Sequence, residues 1–318
     1  VDIADADLPG ASSLPAAGII NPVTGKRFVK SWRFDTFFPA ARAMYADMEA
    51  TLGLSVWREQ PILRLLASAE EQNDWAARCA LPEYAAELGE ATDAGPWQAF
   101  LPPGMGIGLI RRAARVDFSR LLPALRAHAQ REGFFKTEKM DHAAALRLLP
   151  EVDALVFCEG YRAADNPFFP GLPWQIAKGE ALLLRIPGAT GIRAMLKKTM
   201  TLVPLHDDLF WAGGSYQWHY PDLLPSAGER AYILQHVRQM LRKPFEVQGH
   251  VAGVRPTVKD RRPFLGASPT QDKVFIFNGL GTKGALLAPY WAEHLAQHLL
   301  HKTALDPELG LQRGIRPA

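Results

Sequence analysis

The sequence is poor in cysteine, in long apolar runs and in net charge. Its two cysteines, Cys79 and Cys158, cannot build a disulfide framework, so the folded chain must rest on its hydrophobic core. Cys158 lies in the apolar stretch "DALVFCEG" and reads as a buried strand thiol. No run of 18 apolar residues occurs, so no membrane-spanning helix is expected. No secretory leader pattern opens the chain, which makes a reducing cytoplasm the expected compartment. A net charge of only +3 gives no bulk attraction to nucleic acid or to a membrane surface, and neither is expected as a partner. The short basic pairs Arg111-Arg112, Lys197-Lys198 and Arg261-Arg262 read as solvated faces. There is no internal repeat and no low-complexity tract.

What is present is the composition of an ordinary globular protein. Apolar residues make up 48% and charged residues 22% of 318, enough for two domains with a sizeable core. The periodicity predicts an α/β mixture. Phe37, Ala41, Met44, Met48 and Leu52 predict a helix over 36–52, with Asp35 as N-cap and Gly53 just past its end. Ser68 and Glu71 form a capping box for a second helix reaching Ala80. Phe118, Leu121, Leu122, Leu125 and Ala129 mark a third, closed by Gly133. Ser226 and Glu229 open a fourth, and the last runs from Ala285 to Leu300. The run "ALVFC" at 154–158 reads as a strand buried on both faces. The segments "TMTLVPL" and "LFWAGGSYQW" read as an antiparallel pair turning at His206-Asp207-Asp208. The end, "TALDPELGLQRGIRPA", reads as a polar surface tail.

The most informative stretch is "FIFNGLGTKGALLAPYW" at 275–291. Gly279, Gly281 and Gly284 spell G-x-G-x-x-G between a strand and a helix, the local pattern of a dinucleotide-binding turn. Only the tail follows Leu300, so no further strand completes a βαβ unit here. By itself the pattern also fits a helix entry whose glycines allow tight packing and positive φ. In either case the amides at the helix N-terminus point outward and favour negative charge or electron-rich oxygen. At the other end, residues 1–4 read as a strand already under way. It ends on Asp5, where such folds grip an adenosine ribose hydroxyl. The stretch "GASSLPAAGIINPVTG" then offers hydroxyls at Ser12 and Ser13 and small residues at Ala16, Ala17 and Gly18. Taken alone, it also reads as a plain loop and helix cap.

Three segments together carry a resemblance: "SSLPAAGIINPVTGKRFVKSWR", "GVRPTVKDRRPFLG" and "NGLGTKGALLAPYWAEHLA". In this order, along essentially the whole chain, the sequence resembles FAD-dependent oxidoreductases of the D-amino-acid oxidase and glycine oxidase type. The resemblance implies an α/β fold with a Rossmann-like FAD/NAD(P)-binding domain over 1–54, 112–165 and 246–318. An antiparallel-sheet substrate domain over 55–111 and 166–245 is inserted in it. The implied cofactor is FAD, held non-covalently. Its implied contacts are Asp5 at the ribose and Ser12, Ser13, Ala17, Gly18 and Ile19 in the lining loop. Gly279, Leu280, Gly281, Thr282, Lys283, Gly284, Ala285 and Leu286 form the implied turn beside the flavin. The family's founding βα unit, with its own G-x-G-x-x-G, would precede Val1. An N-terminal piece is therefore expected to be absent from this chain, and FAD to bind it weakly. The resemblance places that first strand between the strand at residues 1–5 and the strand at 273–277. Those two are expected either to be separated by a gap wide enough for one strand, about 9–10 Å, or to pair directly.

The implied activity is oxidation of a small amine or amino acid to an imine by hydride transfer to flavin, with oxygen or another acceptor reoxidising it. The alternatives are a truncated, non-catalytic remnant that binds no FAD, and a flavin dehydrogenase that uses an acceptor other than oxygen. No protein catalytic residue is expected, because the flavin carries the chemistry. The substrate-binding set is Arg255, Lys283 and Tyr216. Arg255 corresponds to the arginine that holds the substrate carboxylate, a task its planar fork suits. Its plain structural use is an ion pair with Asp260. Lys283 reads as a contact to the flavin N1–C2 region or as a solvated lysine at a helix start. Tyr216, with Trp218, His219 and Tyr220, reads as a pocket wall or as strand-end core. His294 and His298 stand four apart on the last helix but share its polar face with Glu293 and Gln297. They read as solvated, and no metal is expected.

Overall fold

The computed structural model describes residues 1–25, 27–91 and 93–313. Six α-helices occur among them: α1 (Phe34–Leu52), α2 (Ala69–Cys79), α3 (Phe118–Arg131), α4 (His142–Leu146), α5 (Ala227–Met240) and α6 (Gly284–His301). None is long and apolar enough to cross a membrane. Local chemistry sets several of their ends. The hydroxyls of Ser68 and Ser226 accept from the amides of Glu71 and Glu229, at 3.1 and 3.3 Å, and so satisfy amides that lack a helical partner. Gly53 closes α1 with φ 64°, a conformation in which a side chain is strained. The start of α1 differs from the sequence expectation. Asp35 lies inside the first turn, and the N-cap is Arg33 in a left-handed conformation with no side-chain bond. Lys30 at 2.8 Å and Arg112 at 2.7 Å claim the Asp35 carboxylate, which removes it from capping.

One sheet of eight strands dominates the molecule. Its order is Glu246–Arg255, Ala177–Arg185, Leu209–Gly213, Thr201–His206, Met195–Lys197, Ile62–Leu66, Gly106–Ile110 and Leu88–Glu90. "TMTLVPL" and "LFWAGGSYQW" are antiparallel neighbours, with Thr201 opposite Gly213 and Val203 opposite Trp211. The period of two divides the side chains between the faces. Leu63, Leu182, Leu196, Leu202, Phe210 and Ala212 face one core, which includes Ile233 and Val237 of α5. The opposite face carries Ile62, Met195 and Val203, packed with Ala17, Phe28 and Trp75. This second face is the one turned toward the loop that follows Asp5.

The remaining strands are short. Leu155–Phe157 runs parallel to Val274–Asn278, which pairs on its other edge with Phe264–Ala267. Ile3–Asp5 runs parallel to Phe135–Thr137. Helices α1 and α6 share a core of Phe34, Phe37, Ala41, Leu287, Trp291 and Leu295.

Five sequence expectations are corrected here. The strand Glu246–Arg255 pairs along the whole of Ala177–Arg185, so it belongs to the large sheet and the boundary drawn at 245 cuts through a ladder. The boundary drawn at 54 is early: Trp57–Glu59 joins Ala114–Val116 and Ile19–Ile20 in a small sheet of three. Val274–Asn278 has neighbours on both edges, so it is not the strand that faces Ile3–Asp5 across an open position. Leu155–Phe157 and Phe264–Ala267, the two ends of its sheet, each have a single partner among the described residues. Cys158 is exposed, because it lies one residue past its strand. The segment after α6 is not a loose polar tail as far as residue 313. Leu309 is fully buried, Asp306 pairs with Arg33 at 2.6 Å, and the Arg313 guanidinium lies 4.4 Å over the Phe264 ring.

Candidate functional site

The glycine turn is built from the backbone outward. Val274–Asn278 ends on a buried amide side chain: Asn278 Oδ1 accepts from Gly279 N at 2.7 Å and its Nδ2 donates to Gly160 O at 2.9 Å. Gly279 follows with φ 80°, and a Cβ there would stand 2.7 Å from Val258 Cγ2. Gly281 has φ 55° and donates to Pro256 O at 3.2 Å. Both glycines are required by conformation, and the first also by space. Leu280 O accepts from Lys283 N, and α6 begins at Gly284. The first amides of α6, at Gly284 and Ala285, have no earlier carbonyl of the helix to bond. Ala285 and Leu286 are buried, and Tyr45 donates its hydroxyl to Ala285 O at 3.1 Å.

The loop from residue 10 to 20 lies along the large sheet. Gly10 O accepts from Val254 N at 2.8 Å, and Pro15 O accepts from Trp211 Nε1 at 2.9 Å. Ser12 follows the contour of Gly253, where a Cβ would stand 2.8 Å from Ser12 Cα; Ser13 is exposed. Ala17 is buried and its carbonyl accepts from Arg115 Nε. Gly18 has φ 68°, and a Cβ there would overlap the carbonyl oxygen of Val116. Ile19 continues into the small three-stranded sheet.

The structure draws some of the sequence-predicted residues together. Ile19, Thr282, Lys283 and Leu286 line one cavity of about 200 Å³, together with Ile62, Lys197 and Thr201. Arg255 and Tyr216 are neighbours: the guanidinium carbon lies 4.9 Å from the phenol ring, and Nη1 donates to Ser215 O at 3.0 Å. The Arg255 fork lies over Gly179, where a Cβ would overlap Nη2. The Arg255 carbonyl accepts from Thr257 N, and Thr257 lies against Gly281, so this strand end adjoins the glycine turn. Tyr216 is 42% exposed, which removes it from the core; its hydroxyl is 3.1 Å from Thr257 Oγ1 and its ring packs on Trp218. Asp5 stands apart. It ends a separate two-stranded sheet, and its carboxylate accepts from Asp7 N and from Arg126, both at 2.9 Å.

The electrostatics of this region are one-sided. No carboxylate among the described residues lies within 4.0 Å of Arg255, Lys283 or Lys197. Asp260, the acid nearest Arg255 in sequence, pairs with Arg313 at 2.8 Å. Burial pulls the Arg255 pKa below its ordinary value, with the nearby Tyr216 opposing the shift, yet a guanidinium stays charged. Burial lowers Lys283 as well, and Arg261 adds to the effect. Its ammonium donates to Ser31 Oγ at 3.4 Å. Lys197 reverses the reading of Lys197-Lys198 as a solvated pair. Burial, reinforced by Arg64, pushes it down to about 8. The usable signal was the hairpin register, which sets Lys197 opposite Thr201 and on the same face as Trp211.

The histidines of α6 serve the segment that follows it: His294 Nε2 accepts from Asp306 N at 3.0 Å, and His298 Nδ1 lies 2.7 Å from Thr303 O.

A strand, a glycine turn and a helix set beside a large mixed sheet, antiparallel except where Met195–Lys197 runs parallel to Ile62–Leu66, form the architecture of a flavin-type oxidoreductase. The profile of the DAO family, FAD dependent oxidoreductase, matches residues 1–298, and the chain belongs to this family, whose members depend on FAD. A glycine oxidase of Bacillus licheniformis is 25% identical over 138 residues, 43% of this chain and 36% of that protein. The tRNA 5-methylaminomethyl-2-thiouridine biosynthesis bifunctional protein of Thiobacillus denitrificans is 24% identical over 356 residues, 99% of this chain and 54% of that protein. The chain therefore spans about a third to a half of the length of these curated relatives. Among solved structures, glycine oxidase from Geobacillus kaustophilus superposes with a TM-score of 0.78 at 20% identity, covering 99% of this chain and 92% of that one. Iminodiacetate oxidase from Chelativorans sp. BNC1 gives 0.77 at 18% identity, with the same coverage. These likenesses establish the fold.

Proposed function

We propose that this protein oxidises a small amine that also carries a carboxylate, giving an imine that water hydrolyses. The observation that carries the reading is Arg255. A desolvated guanidinium without an acidic partner, set beside the glycine turn, is costly in an empty site and well matched to a carboxylate. Glycine and iminodiacetate, named in the similar oxidases, are amines of this kind.

The residues present fit the flavin end of FAD. Gly18, Gly279 and Gly281 hold positive φ that a side chain would strain, Ile19 and Leu286 offer apolar surface, and the first α6 amides would suit electron-rich oxygen of the ring. Asp5 keeps lone pairs free for ribose hydroxyls beside its bond to Arg126. When bound, FAD supplies the acceptor for the hydride that leaves the carbon beside the amine. The chain's own residues orient the substrate: Arg255 holds the carboxylate, the Tyr216 ring backs the guanidinium, and Trp211 closes the sheet face against Pro15. Lys283, at the start of α6, would offer positive charge to a ring that gains electrons.

The test is anaerobic bleaching of the flavin-loaded protein by paired amines, with and without a carboxylate. Arg255→Ala should weaken the carboxylate-bearing member by about 2–4 kcal/mol and leave the other little changed. Equal losses for both would remove Arg255 from the substrate site. Peroxide formation in air identifies oxygen as the acceptor.

A further inference from the structure

We propose that Ser215 is the positioning residue of the carboxylate site: its hydroxyl takes a place in the sheet ladder and so frees its own carbonyl to hold the Arg255 fork. This rests on the reading of Arg255 as the holder of the substrate carboxylate. Ser215 is buried and acts on the substrate only through Arg255.

A one-residue bulge sets the arrangement. Ala181 is opposite Gly213, but Lys178 is opposite Gln217, so the segment 213–217 carries one residue more than the strand it follows. An extra residue of this kind re-aims the side chains beyond it. In an unbroken register Tyr216 would stand against Lys178, whose side chain lies on the far face with Glu180. The bulge sets it against Gly179 instead, on the face that carries the Arg255 fork. Arg255 itself starts from the outer strand, opposite Ala177, and crosses the bare backbone at Gly179 to reach this segment.

At the bulge the Glu180 amide meets a side chain where a regular ladder would supply a main-chain carbonyl. Ser215 Oγ accepts from it at 3.0 Å, while Ser215 N donates to Glu180 O at 3.2 Å. The Ser215 carbonyl is left open to Arg255 Nη1, at 3.0 Å. One of the five guanidinium donors is used by this anchor, and the others remain for a carboxylate, which takes two in parallel. The segment is held at both ends by the same two residues. Gln217 exchanges main-chain bonds with Lys178 at 2.9 Å; further on, Leu224 O accepts from Lys178 Nζ, and Ser226 N donates to Glu180 Oε2 at 2.8 Å. Without the Ser215 hydroxyl, the Glu180 amide is a buried donor lacking a partner, a state costly enough to draw the Ser215 carbonyl back into the ladder. The Arg255 fork then loses its anchor.

The experiment titrates the FAD-loaded protein with acetate and with acetamide, which has nearly the same shape and no charge. Calorimetry reads both affinities, and urea unfolding reads the stability of each variant. The wild type should prefer acetate. Ser215→Ala should cut that preference about tenfold, and Ser215→Thr, which keeps the hydroxyl, should restore most of it. Equal losses for the two ligands in Ser215→Ala, or an unchanged preference, make Ser215 merely structural and overturn the proposal. If Ser215→Ala does not fold, Ser215→Cys takes its place, since a thiol has a similar shape and accepts only weakly. The preference should fall in the same way, and failure of this variant to fold as well overturns the proposal. Arg255→Ala separates the two layers. Acetate binding indifferent to Arg255 sinks the reading of Arg255 as carboxylate holder, whereas acetate binding that needs Arg255 but keeps its preference in Ser215→Ala sinks only the positioning role.

Discussion

The glycine turn and the sheet face beside it are built by opposite means. In the turn, the chemistry on offer is carried by main chain: Gly279 and Gly281 hold positive φ, Asn278 fixes the strand end, and α6 presents its first amides. On the sheet face it is carried by long side chains, Arg255, Lys197 and Trp211, whose direction depends on register with distant strands. A backbone site tolerates no added atoms. A side-chain site tolerates a change of shape but not a change of charge or of the small residue beneath it.

Substitutions can break this comparison. The largest effect is expected at Gly18, in the loop that meets the turn. Gly18→Ala places a methyl group onto Val116 O at φ 68°, so backbone must move; a loss of about 3 kcal/mol or more is expected in urea unfolding. A stability close to wild type would mean that the loop relaxes freely and that its geometry does not define the site. On the sheet face, the nearest atoms that Gly179→Ala meets are those of the Arg255 guanidinium. Unfolding should change little, while binding of carboxylate ligands should weaken roughly 10–100-fold as the fork is pushed aside. If stability falls and binding does not, Gly179 is structural and the fork lies elsewhere when ligand is bound.

The smallest effect concerns Lys197 in the absence of ligand. Its folded pKa lies near 8, below the ordinary 10.5, so between these values the unfolded chain binds more protons. Stability therefore rises with pH across that window. The penalty is fully present below about 8 and fades toward 10.5. Lys197→Met should be the more stable protein at pH 7, with the gap closing at higher pH. A gap that widens instead would show that Lys197 has a stabilising partner.

What the sequence disclosed divides along the same line. Signals contained in a few consecutive residues were legible: Ser68 with Glu71, Ser226 with Glu229, Gly53 and the glycines before α6. Signals that depend on distant pairing were not. Lys197 looks solvated until Arg64, 133 positions earlier in the chain (197 − 64), is set opposite it. The strand ending at Arg255 fell on the wrong side of a boundary because its partner ladder starts at Ala177. Leu309 is one of three scattered leucines, with Leu305 and Leu311, in a largely polar stretch, and only the core under α6 shows why it is the one fully buried. Asp35 offered a good cap, but two basic residues hold its carboxylate.

Trp211 joins the two regions: its indole N–H holds the Pro15 carbonyl across 196 residues of chain, and its ring edge lies against Gly213 and Gly214 on the sheet face. The protein thus has a fluorophore fixed at the seam of its own pocket. An indole so anchored changes its emission when the carbonyl moves or when water leaves the sheet face. Occupancy of the Arg255 side of the pocket should therefore be visible as light, without a label and without turnover.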